Sequence, residues 1–155
     1  MAATSILFLD EKRHDRLTLG EELEPQIGGK VPVGVHRIAS GFGVVIYDGT
    51  GDERGAYGWL SNGRALITLD RPGTEAFAAM VNDKTGETRL SFGFPPEVAN
   101  DTSAIEMGTK ASSSFLRFNG KSGTSLAVFD TEDGKNPSFK TFDLQGNRSE
   151  ERLGR

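Results

Sequence analysis

The chain of 155 residues contains no cysteine. Disulfides, thiolate metal centres and cysteine nucleophiles are excluded together. Histidine is nearly absent as well: His14 lies in the charged EKRHDR segment and His36 between Val35 and Arg37, so each reads as a surface or hydrogen-bonded structural residue. No apolar run approaches the length of a membrane-spanning helix, and the longest near the N-terminus, ILFL, stops at Asp10. The stretch MAATSILFLDEKRHD lacks the basic start and long apolar core of a secretory signal. A cytoplasmic location is the default expectation, and a mature secreted chain would read the same. Cations are also in deficit, with 18 Lys and Arg against 22 Asp and Glu and a net charge of −4. A fold-wide basic footprint is missing, so nucleic acid is not an expected partner.

Glycine is what the chain has in excess, with 20 residues spread along its length, which points to many turns. Phenylalanine supplies 10 of the 13 aromatic residues, and its rings suit strand faces. Three stretches share a plan of apolar run, Asp, two residues and Gly: GVVIYDGTG (residues 43–51), AAMVNDKTG (78–86) and FKTFDLQG (139–146). LAVFDTEDG (126–134) has one extra residue in the turn, and ILFLDEKRHDRLTLG (6–20) is a degenerate copy without the turn glycine. Each reads as a β-hairpin in which Asp accepts backbone N–H bonds and Gly takes the positive-φ position.

Further strands are expected at KVPVGVHRI (30–38), with Pro32 confining it to an edge or bulge, and at RALITLD (64–70), SAIEM (103–107) and SSFLRFN (113–119). The segment TEAFAAMV (74–81) has helical propensity, but the hairpin register makes residues 76–82 a strand. About ten to twelve short strands predict an all-β antiparallel domain over residues 1–147, closed as a barrel or stacked as solenoid-like hairpins, with a charged tail over 148–155.

Familiar catalytic motifs fail on inspection. GKS at 121 and its neighbours lacks the first glycine of a phosphate loop, because position 115 is Phe. Two groups of residues stand out. Tyr47, Asp48, Asp52, Tyr57 and Trp59 cluster near one hairpin, where an aromatic platform and acidic turn would suit a glycan, peptide or small molecule. Asp130, Glu132 and Asp133 offer oxygens to a calcium ion on a glycine-bent loop, without matching a known calcium-loop spacing.

The unit apolar-Asp-x-x-Gly-x-x-Arg-Leu, as in VNDKTGETRL, together with GFGVVIYDGTGDERGAYGWL followed by ITLDRP, resembles a family of uncharacterised bacterial proteins built from loosely repeated β-hairpins. The resemblance runs over residues 6–147. It implies the architecture only, since the family has no established activity, and it carries over no catalytic residue or cofactor. The expectation is a non-enzymatic binding or interaction scaffold that self-associates through sheet edges or apolar faces. The alternatives are a carbohydrate-binding or hydrolytic small barrel and a calcium-stabilised surface module.

Overall fold

Each of the five apolar-Asp units becomes a hairpin. In a computed structural model that describes residues 5–21, 26–34, 36–37, 39–72, 74–99, 102–132, 135–143 and 145–152, the chain folds as twelve β-strands. They are β1 Ser5–Leu9, β2 Asp15–Glu21, β3 Gly41–Tyr47, β4 Glu53–Leu60, β5 Arg64–Arg71 and β6 Thr74–Asn82. The second half supplies β7 Glu87–Gly93, β8 Ser103–Lys110, β9 Ser113–Asn119, β10 Ser125–Glu132, β11 Ser138–Phe142 and β12 Arg148–Arg152. All twelve lie in one antiparallel sheet in chain order, and no helix occurs among the described residues. Only chain-neighbouring strands touch, so β1 and β12 remain the two edges and the sheet is not closed into a barrel.

The turns explain the regularity. Asp48 Oδ1 accepts the N–H groups of Thr50 (2.8 Å) and Asp52 (3.2 Å), while Gly51 holds φ at 84°. Asp143 repeats this with Gln145 (2.9 Å) and Asn147 (2.8 Å), and Gly146 at 82°. Asp10 does the same with Lys12 and His14, and here Arg13 takes the glycine's role at φ 67°. The β6–β7 turn differs from the sequence alignment of the units. Its acceptor is Asn82, which receives Lys84 and Thr85 N–H, and not Asp83. The strand expected over residues 76–82 is formed and begins two residues earlier, at Thr74. The GKS segment is the tip between β9 and β10.

One expected strand is absent. Among the described residues of the 30–38 run there is only an isolated bridge between Ile27 and Lys30. Pro32 supplies no ladder donor, Gly34 sits at φ 77°, and Val33 is fully exposed. Arg148–Arg152, read from the sequence as the start of a charged tail, pairs with β11 as β12. β11 begins directly after Pro137 but lies between β10 and β12.

Register gives the sheet two unlike faces. Along one face two apolar rows cross nearly every strand. The first runs Phe8, Leu17, Ile46, Gly55, Leu69, Phe77, Phe92, Ile105, Phe118 and Ala127. The second runs Ile6, Leu19, Val44, Tyr57, Ile67, Ala79, Leu90, Met107, Leu116, Phe129 and Phe139. The other face carries Thr18, Thr68, Asp70, Asn82, Arg89, Ser91, Glu106, Arg117, Asp130 and Lys140, with Val45, Tyr47, Met80 and Val128 between them.

Candidate functional site

Burial is inverted relative to these chemistries. The buried residues Val45, Tyr47, Met80, Val128, Thr18, Asn82, Ser91, Glu106 and Ser138 all lie on the mixed polar face. The apolar face stays open: Ile67 is 46% exposed, Leu69 58%, Phe92 44% and Phe118 41%.

The polar face is closed by the chain itself. Near β2–β5 the described residues between β2 and β3 (26–34, 36–37 and 39–40) lie along the sheet as a strap. Gln26 Nε2 donates to Asp15 (2.9 Å), the Glu53 N–H donates to the Gln26 carbonyl (3.2 Å), and Arg37 pairs with Glu53 (2.7 Å). The strap ends where the Ser61 N–H donates to the Ser40 carbonyl (2.7 Å). Tyr47 lies in this region with its phenol pKa pushed up by burial. Farther along, charged side chains pair across the strands. Glu106 sits between Arg89 (3.5 Å) and Arg117 (3.2 Å). Val128 is the direct cross-strand neighbour of both Arg117 and Lys140, and their long stems shield it. A recess of about 200 Å³ opens beside Thr74, Glu75, Ser91, Gly93, Thr102 and Ser103, lined mainly by hydroxyls.

The residues singled out from the sequence fall in separate places. Tyr47 is on the polar face and 5% exposed, whereas Tyr57 and Trp59 are on the apolar face at 62% and 50%. Phe42 is the direct cross-strand neighbour of Trp59, so Phe42, Trp59 and Tyr57 form an exposed aromatic group. Asp48 and Asp52 cap the β3–β4 turn, roughly 13 Å along the strand from Tyr57 at ~3.3 Å per residue. Asp48 is occupied by the Thr50 hydroxyl (2.6 Å) and the Arg54 guanidinium, which hold its carboxyl well below the usual carboxylate range. Asp52 receives the Gly28 N–H and lies 3.8 Å from Arg54.

Asp130 is not part of a loop. It lies within β10 on the polar face, where Lys140 and the Ser138 hydroxyl lower its pKa. Glu132, at the end of that strand, pairs with Lys135 at 2.7 Å. Asp133 lies outside the described residues. Among the described residues no three His, Asp or Glu side chains approach closely enough to hold a metal ion.

By strand parity the Asp10, Asp48 and Asp143 turns share one end of the sheet, and the β10–β11 turn is at the other. Arg16 ties two of them together, donating to the Asp10 carboxylate and to the Asp48 carbonyl. These acidic side chains are consumed in holding the turns. The largest surface feature without a partner among the described residues is therefore the apolar face. Its signal was present in the sequence as period-two alternation on each strand, but alternation alone does not show that the rows of different strands align. No protein-family model matches the chain, and no curated protein sequence matches it.

Proposed function

We propose that the chain is a non-enzymatic interaction scaffold whose working surface is the apolar face of its sheet. One observation carries this reading: eleven large apolar side chains of the two rows are 38–62% exposed, with half-buried apolar residues between them, while the opposite face is covered by strap and ion pairs. A sheet face of this kind is stable only when packed against another layer, and a contiguous apolar surface of this extent marks an interaction site. The polar groups support it from the other side, since the carboxylates at the turns and on the polar face already have internal partners. The hairpin-repeat resemblance fits a scaffold, in which the repeated unit extends a surface. Loss of partner binding, self-association included, in the Ile67→Glu and Phe129→Glu variants is the expected result. Retention of all binding in a folded double variant would overturn it.

A second reading rests on Phe42, Tyr57 and Trp59, whose exposed rings could stack on a sugar. A glycan panel tests it directly: loss of a measured glycan affinity in Trp59→Ala supports it, and no binding by the wild type removes it.

A further inference from the structure

We infer that the layer covering the apolar face is the same face of a second copy of this chain, an inference that rests on the interaction-surface reading above. Three features point to self-pairing.

The first is that the fold lacks a core without a second layer. Only Val45, Tyr47, Met80 and Val128 are buried hydrophobics among the described residues, and all lie on the other face. A layer required for stability must be present whenever the chain is folded, and another copy always is. Obligate homodimers behave in this way, having no stable folded monomer.

The second is size. Eleven strands at ~4.8 Å spacing and two rows of side chains, each occupying ~6.8 Å along the strands, give a patch of roughly 50 by 14 Å, about 700 Å² in projection. A standard stable interface takes about 800 Å² from each partner. Two such faces stacked ~10 Å apart form a sandwich core.

The third is charge. A two-fold contact requires a patch that tolerates itself. The two rows hold no ionisable side chain from Phe8 to Phe139 except the Tyr57 phenol, so a chain of net charge −4 meets its copy without opposed charges at the centre. The next row is polar over Thr88, Thr109, Ser114 and Thr131, which supplies a rim.

The same dimensions argue against a lipid occupant. The longest strand is β6, with 9 residues, and most have 5 to 8. A membrane barrel strand needs about 9–11 residues and an apolar band of about 25 Å, and its sheet must close. This band is about 14 Å tall and the sheet is open.

The test uses the absence of native cysteine. Ile67→Cys places one thiol in the centre of the face, and Ser122→Cys places one at the exposed β9–β10 tip as a control. Mass is read by light scattering and sedimentation over a concentration series, and thiol reactivity by maleimide labelling at the same concentrations. The expected result is a dimeric mass or a multiple of it. Labelling of Cys at position 67 should then be slowed at least about 10-fold relative to the control, with protection falling on dilution. Adding Phe129→Glu should weaken association by about 100-fold or more, as expected for an uncompensated charge in an apolar contact. A folded monomer whose position 67 labels freely, and which binds phosphatidylcholine vesicles or a hydrophobic dye, would overturn the second copy while leaving the interaction surface standing. A folded monomer with position 67 protected at all concentrations would overturn both.

Discussion

Asp70→Asn offers the most direct test of how the polar face is organised. Asp70 is the penultimate residue of β5 on that face, opposite Glu75 across a bulge, with the Thr68 hydroxyl 3.5 Å away. Burial, followed by the charges of Glu53 and Glu75, raises its pKa from 3.8 to about 6. Arg37 offsets this in part while it pairs with Glu53. Between those two pH values the folded chain holds the proton more firmly than the unfolded chain. The stabilising contribution is therefore complete below about pH 4 and is lost as pH rises through about 6. Two pH units correspond to about 3 kcal/mol for a fully shielded group, and partial access to solvent reduces this to about 1 kcal/mol. The asparagine carries no charge at either pH. We expect it to stabilise the fold by about 1 kcal/mol at neutral pH and by almost nothing at about pH 4. Urea unfolding midpoints, measured at both pH values and at one fixed protein concentration, read the difference. An equal gain at both pH values would show that packing and not charge is responsible. No gain at neutral pH would refute the shielding of Asp70.

Three further outcomes follow from single positions. Ala111 holds φ at 51° at the first position of the two-residue β8–β9 turn, so Ala111→Gly should raise stability by up to about 1 kcal/mol in chemical denaturation. A side chain at Gly43 would run into the Tyr57 carbonyl and lie 2.8 Å from the Gly58 Cα, so Gly43→Ala should cost about 1–3 kcal/mol and lower the melting temperature. Glu106→Gln removes the charge shared by Arg89 and Arg117, and should cost about 1–2 kcal/mol at low salt with a smaller loss at about 1 M salt. A salt-independent loss would mean that the hydrogen bonds alone matter there.

Much of the fold was legible because its rules are local. Asp10, Asp48 and Asp143 cap turns through their own backbone neighbours, and a positive-φ glycine closes the loop after Asp48 and Asp143. The same local reasoning placed a strand over residues 76–82, which the structure extends back to Thr74. It failed where an alternating pattern had no partner. Val31 and Val33 alternate like a strand, but Pro32 and Gly34 deny them a ladder, and the segment is used as a strap. It also failed for the site. Tyr47 and Tyr57 are close in sequence and in one hairpin, yet cross-strand parity sends them to opposite faces.

The sequence by itself determined where the chain turns and which residues alternate within each strand, because both depend on contacts a few residues long. Only the tertiary structure decided that Phe77 stands beside Leu69 and Phe92, since ladder register follows from every loop length taken together. It also decided which face the strap anchored at Gln26 and Arg37 covers. That placement shields the polar side, where Glu53 and Asp15 give the strap hydrogen-bond partners, and leaves open the apolar side, whose two rows carry no polar side chain but the Tyr57 phenol.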